Sequence, residues 1–142
     1  MTIPNLTEIL TGPPIRVHLL GVAGSGMSGI AALALALGHR VSGSDKADTV
    51  EVDRLRKKGL DFYGPHTAEE VADKDLVIYS SAIKPGNPAY DAARALGKPM
   101  VRRADALAAI MAAKKGVVVC GMHGKTTTSS MAAHVLRSCG FK

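Results

Sequence analysis

Short apolar runs alternate with amphipathic stretches along most of the chain. Ile15–Val22 (IRVHLLGV) is rich in β-branched residues, meets a glycine near its end, and predicts a buried strand. Residues 27–37 (MSGIAALALAL), apolar nearly all round, predict a helix stopped at Gly38. Arg40–Gly43 predicts a second strand leading to Ser44-Asp45. Thr49–Lys58 predicts an amphipathic helix with Val52 and Leu55 inward and Gly59 at its end. Leu60–Tyr63 follows as a third strand, Thr67–Ala72 as a short helix and Leu76–Tyr79 as a fourth strand. Asn87-Pro88 opens a helix to Leu96, with asparagine as N-cap and proline in the first helical position. Lys98–Val101 predicts a fifth strand and Ala104–Ala112 a helix. Beyond a joint at Lys114–Gly116, Val117–Cys120 predicts another strand and Lys125–Ser138 a helix stopped by Gly140.

Such alternation predicts an α/β fold: a Rossmann-like parallel sheet with helices on both faces over residues 15–113. Residues 1–14, with Pro4, Pro13 and Pro14, read as a lead-in segment. Residues 114–142 read as the opening strand, P-loop and helix of an ATPase domain. A phosphate loop and its helix with no further sheet make an unfinished domain, so the chain is expected to be the N-terminal part of a longer protein. A helix without packing partners loses most of its support, so the segment after about residue 120 is expected to be loosely held.

Composition narrows the function. The chain has 142 residues, 46% hydrophobic and 21% charged, enough to bury a core. Its net charge of +6 is unevenly spread. Residues 1–93 hold 9 Lys/Arg against 11 Asp/Glu, whereas residues 94–142 hold 9 Lys/Arg against Asp105 alone. The excess therefore lies beside the phosphate loop, where a phosphate-rich small ligand accounts for it. Aromatics make up 4% with no Trp, which argues against base-stacking platforms, and nucleic acid is not an expected partner. Cys120 and Cys139 show no CxxC spacing, Cys120 reading as a buried thiol at a strand end, and a cytoplasmic setting is expected. No secretory signal is visible, and the most hydrophobic helix is too short to span a bilayer, so no membrane partner is expected.

Two loops carry chemistry. Gly24-Ser25-Gly26-Met27-Ser28-Gly29 matches GxGxxG between a predicted strand and a predicted helix, with Asp45 at the end of the next strand. Glycines let a diphosphate approach the backbone, and the helix start offers free N–H groups. The motif indicates the diphosphate of some nucleotide; a turn shaped only for packing is the plain alternative, as is a capping role for Asp45. Gly121–Thr127 (GMHGKTT) follows an apolar run. Its backbone N–H groups suit phosphate oxygens, Lys125 suits the β/γ-phosphates, and the Thr126 hydroxyl suits a nucleotide-bound Mg²⁺. The generic GxxxxGK[ST] pattern has glycine where Val119 stands, so the spacing here is the shorter GxxGKT. His123 either fills space in the loop or acts at the transferring phosphoryl group.

Taken together, Gly21–Ala31 (GVAGSGMSGIA), Val41–Asp45 (VSGSD), Ser80–Ile83 (SSAI) with Asn87-Pro88, Arg103–Leu107 (RADAL) and Gly121–Thr128 (GMHGKTTT) resemble the Mur ligases of bacterial cell-wall synthesis, in the family's order. GxHGKTT is a specific marker, since other members usually carry Asn where His123 stands; Met122 departs from the usual Thr. The resemblance implies ATP-dependent ligation of L-alanine to the lactyl carboxylate of UDP-N-acetylmuramate through an acyl phosphate, with ATP and Mg²⁺ required. It implies ATP binding by Gly121, Met122, His123, Gly124, Lys125, Thr126 and Thr127, with Lys125 and His123 catalytic and Thr126 toward the metal. It implies diphosphate contact by Gly24, Ser25, Gly26 and Met27, and places Ser44, Asp45 and His66 near the uridine. Ser80, Ser81, Ala82 and Ile83 complete the UDP-sugar site, and Arg102 and Arg103 are candidates to attract the anionic substrate. A ligase that recycles murein peptide onto the same sugar nucleotide also carries the histidine. A non-catalytic nucleotide-binding module and an oxidoreductase are the rivals of other classes. By itself the chain is expected to lack ligase turnover.

Overall fold

Five short strands, all parallel, form one sheet in the order β3-β2-β1-β4-β5 in the computed structural model, which describes residues 5–141. The strands are β1 (Arg16–Leu20), β2 (Arg40–Ser44), β3 (Asp61–Phe62), β4 (Leu76–Tyr79) and β5 (Met100–Arg102). Helices α2 (Ser25–Ala36), α3 (Val50–Arg56), α4 (Pro88–Ala95) and α5 (Arg103–Ala112) connect or follow them, and a 3-10 turn covers Glu69–Val71. β1 is central: Val17 pairs with Val41 on one side and with Leu76 on the other.

Successive residues of a strand face opposite sides, so β1 serves two cores. Val17 and Leu19 point into a cluster with Met27 and Ile30 of α2, Val52 and Leu55 of α3, and Ala106 and Ile110 of α5. Leu20, on the opposite face, joins Val71, Val77, Ala89 and Ala93 beneath α4 and the 3-10 turn. Helices thus cover both faces, as the alternation predicts. The predicted inward pair Val52 and Leu55 is buried, and the Asn87 side chain caps α4 by accepting from Tyr90 N at 3.1 Å.

Two expectations change. Part of the lead-in segment folds as helix α1 (Leu6–Thr11), with Leu10 fully buried against α5; residues 1–4 lie outside the described residues. His39 pins it, with Nε2 2.9 Å from the Leu10 carbonyl and Nδ1 accepting from Ile15 N. The strand expected over Val117–Cys120 does not form: Val117 and Val118 are 72% and 76% exposed, and Cys120 is exposed rather than a buried thiol. A valine run has β propensity, but a strand needs a neighbour for its backbone groups, and this segment pairs with no strand among the described residues. Helix α6 (Lys125–Ser138) does form, over the predicted span, and buries none of its residues.

Candidate functional site

In open parallel sheets, ligands bind beyond the strands' C-terminal ends where the strand order reverses. Here that point lies between β1 and β4. The turn after β1 and the loop after β4 meet there: Ser80 N donates to the Leu20 carbonyl, and Gly21 follows directly at φ +85°. A Cβ on Gly21 would lie 3.2 Å from the Ser80 Cβ, so this position needs glycine both for its left-handed backbone and for space. Ile83 anchors the far end of the β4 loop in the second core, and Ser80 Oγ accepts from Ala82 N at 3.3 Å. Ser81 and Ala82 are exposed at its tip.

The glycine turn continues into α2, with Gly24 as the extended N-cap residue. Gly24, Ser25 and Gly26 are exposed, and no acidic residue occupies the first turn, which leaves the positive pole of the helix unopposed. Met27 differs from its neighbours. Its side chain is 2% exposed in the core and its N–H donates to the Gly24 carbonyl, so it supports the turn from below. On the opposite side of the turn, the Arg103 guanidinium lies against Gly26 at the start of α5.

The end of β2 braces this turn. The Ser44 carbonyl accepts from Gly21 N at 2.8 Å and Val22 N at 3.2 Å, and Asp45 Oδ2 accepts from Ala23 N at 3.0 Å. Asp45 N in turn donates to the Gly64 carbonyl, tying in the turn that carries His66. Asp45 therefore has the bracing role its position allows, with Oδ1 on Ala47 N.

Beneath the loops lies a buried polar network that has no counterpart in the sequence reading. The Ser44 side chain, fully buried, donates to Glu70 Oε1 at 2.6 Å. Its oxygen also meets His66 Nδ1 at 2.7 Å and His18 Nε2 at 3.2 Å. With the hydroxyl proton committed to the carboxylate, both ring nitrogens are the donors. His18 Nδ1 then pairs with Ser42 Oγ at 2.8 Å. Burial favours the neutral imidazole of His18 and lowers its pKa, outweighing Glu70, so its 3.3 Å approach to Glu70 is a hydrogen bond between neutral ring and carboxylate. For Glu70, burial alone raises the pKa; hydrogen bonds from Ser44 and His18, with the His66 ring 3.8 Å away, overcome it and bring the value down to about 2. Ser44 and His66 thus hold the floor of the site. The signal was present as polar residues on one face of two apolar strands: His18 on β1, and Ser42 and Ser44 on β2.

The second loop, Gly121–Thr127, is exposed throughout, with Met122 97% exposed. Gly124, at φ +76°, is the N-cap position of α6, and Lys125 Nζ bridges the Gly121 and Met122 carbonyls at 2.7 and 3.2 Å. His123, Thr126 and Thr127 are exposed on the same loop, whereas the glycine turn and the β4 loop are brought together at the sheet. Among the described residues no group of His, Cys, Asp or Glu has a metal-holding arrangement, and no helix is long and apolar enough to cross a membrane.

Residues 16–115 match the model of the Mur ligase family, catalytic domain. A curated relative from Agrobacterium fabrum, UDP-N-acetylmuramate–L-alanine ligase, is 48% identical over 122 residues, covering 86% of this chain and 26% of the relative. The chain thus spans about a quarter of the length of this relative. A solved UDP-N-acetylmuramate–alanine ligase from Thermotoga maritima superposes with a TM-score of 0.81 at 35% identity, over 87% of this chain and 29% of that one. The solved UDP-N-acetylmuramate:L-alanyl-γ-D-glutamyl-meso-diaminopimelate ligase from Neisseria meningitides gives 0.82 at 30% identity, over 90% and 41%.

Proposed function

The chain belongs to the Mur ligase family, and from that premise we propose that it is the UDP-sugar-binding part of an ATP-dependent UDP-N-acetylmuramate–L-alanine ligase of peptidoglycan synthesis. The observation that carries this reading is the meeting of the glycine turn and the Ser80–Ile83 loop at the sheet's reversal point, in a chain 48% identical to such a ligase. The diphosphate lies over Gly24, Ser25 and Gly26, where amides at the start of α2 are exposed. Asp45 and the His66 turn border the nucleoside, with Ser44 as support, and Ser81 and Ala82 close the site from the β4 side.

In the reaction, the lactyl carboxylate takes up a phosphoryl group from ATP, and the amine of L-alanine then displaces phosphate from the acyl carbon. The loop Gly121–Thr127 suits the phosphate chain, with glycines at 121 and 124, the start of α6 and the Lys125 ammonium converging on it. His123 lies within this loop. Mg²⁺ bound through Thr126 would neutralise phosphate charge. By this reading the 142 residues bind UDP-sugar without ligase turnover and work in the cytoplasm, a compartment that suits two unpaired thiols. Likeness to the solved peptide ligase supports a second reading, ligation of murein peptide to the same sugar nucleotide; the 48% identity to the alanine ligase favours the first.

Titration with UDP-N-acetylmuramate and with NAD tests the proposal. Binding of the UDP-sugar with no measurable NAD binding is expected; the reverse result overturns it. Incorporation of L-alanine by this chain with ATP would refute its inactivity.

A further inference from the structure

Glu70 governs where two imidazole protons sit. An ionised carboxylate only accepts hydrogen bonds, so the Ser44 hydroxyl, 2.6 Å from Oε1, donates to it. Ser44 Oγ then offers its other neighbours lone pairs alone. Both His18 Nε2 at 3.2 Å and His66 Nδ1 at 2.7 Å must therefore carry a hydrogen. From here the two rings differ. His18 is fully buried, and its remaining nitrogen, Nδ1, meets Ser42 Oγ at 2.8 Å. The remaining nitrogen of His66, Nε2, has no hydrogen-bond partner among the described residues. Glu70 Oε2 is the only buried side-chain nitrogen or oxygen left unpartnered among them, so His66 Nε2 reaches solvent. The ring stands at the C-terminal end of the sheet, in the turn after β3 that Asp45 N ties to the end of β2 through the Gly64 carbonyl. A neutral His66 thus shows the crevice a bare nitrogen that accepts and does not donate.

We propose that Glu70, acting through Ser44, is a positioning residue for base recognition: it holds the His66 hydrogen on Nδ1, so that Nε2 accepts the N3–H of uracil and turns away cytosine. This rests on the UDP-sugar reading above, in which the His66 turn borders the nucleoside. Uracil carries a hydrogen on N3, whereas cytosine has a lone pair there. Two lone pairs brought face to face leave both groups desolvated and unpaired. A histidine free to change tautomer would serve either base, so selectivity comes from the lock and not from the ring alone.

Long-range proton–nitrogen correlation spectra of the ligand-free chain at pH 8 test the lock. Calorimetric titrations with UDP, CDP and UDP-N-acetylmuramate test its consequence in the wild type, Ser44→Ala, Glu70→Gln and His66→Phe. Wild-type His66 should carry hydrogen on Nδ1 and none on Nε2, and UDP should bind about ten- to a hundredfold more tightly than CDP. Ser44→Ala keeps the carbonyl that braces the glycine turn but frees the ring. Its His66 should shift toward the Nε2–H form, and the preference for UDP should fall about tenfold, with CDP binding more tightly than it does to wild type. Glu70→Gln, whose amide can donate to Ser44 and reverse the chain of hydrogen bonds, should fall between the two. His66→Phe should bind UDP and CDP about equally.

A wild-type His66 with its hydrogen on Nε2 overturns the lock, whatever the chain binds. Equal losses for UDP and CDP in Ser44→Ala overturn the positioning role, because a merely structural defect weakens both alike. An undiminished preference for UDP in His66→Phe overturns base recognition by this ring. Each of these results leaves the UDP-sugar site standing. A wild-type chain that binds neither UDP nor UDP-N-acetylmuramate overturns that site and the base recognition with it. The wild-type spectrum needs no substitution, so the lock stays testable where a variant unfolds.

Discussion

Ser44 donates its hydroxyl to Glu70 at 2.6 Å while its carbonyl holds the amides of Gly21 and Val22. One residue therefore joins a buried carboxylate to the turn that shapes the proposed diphosphate site. A charge enclosed this way is costly unless its hydrogen bonds are made, and Glu70 Oε2 has none among the described residues.

Replacing the carboxylate should therefore be felt both in stability and at the glycine turn. Glu70→Gln keeps the shape but loses the ionised acceptor for Ser44 and His18, and a destabilisation of about 1–3 kcal/mol is expected from urea unfolding. Amide shifts of Gly21 and Val22 in NMR spectra should move with it, because Ser44 carries the change. Unchanged stability together with unchanged shifts would count against the link.

Acid should unfold the chain in a defined direction. The pKa of His18 is lowered by burial, so its contribution is complete above its ordinary value of 6.5 and is lost as pH falls below that. The Glu70 pKa falls from 4.5 to about 2, so its contribution is present above 4.5 and drains away between 4.5 and about 2. Stability from urea midpoints should thus decline in two stages on acidification, the second stage shrinking in Glu70→Gln. A profile flat from pH 7 to 3 would contradict this.

Helix α1 belongs to the core. Leu10→Ala removes a fully buried side chain where α1 meets α5, at an expected cost of about 2–5 kcal/mol by urea titration. A change below about 0.5 kcal/mol would mean that α1 is dispensable.

Helix α6 should behave oppositely. Val135 is 58% exposed, and Val135→Ser should change the stability of this chain by no more than about 0.5 kcal/mol. A large loss would reveal packing on that face.

The strands around β1 were legible because burial on both faces leaves continuous apolar runs, and α4 because asparagine and proline mark its start. Helix α1 was hidden by prolines around it, although Leu6, Ile9 and Leu10 already show helical spacing. Val117–Val119 misled in the other direction: β-branching reports what a residue prefers, while a strand also requires a partner. Glu70 was missed because an acidic pair, Glu69-Glu70, reads as surface in one dimension. Only the packing of a 3-10 turn against β1 turns the second of them inward, onto His18 and Ser44.

The central position of β1 bears on how the chain is made. Val17 pairs with Val41 early, but its other neighbour, Leu76, lies 59 positions further along. At a synthesis rate of about 5–20 residues per second, one edge of β1 remains unpaired for roughly 3–12 seconds after Val17 is added. The reversal point between β1 and β4 does not exist until then, so the proposed ligand crevice is the last part of the sheet's centre to be born on the ribosome.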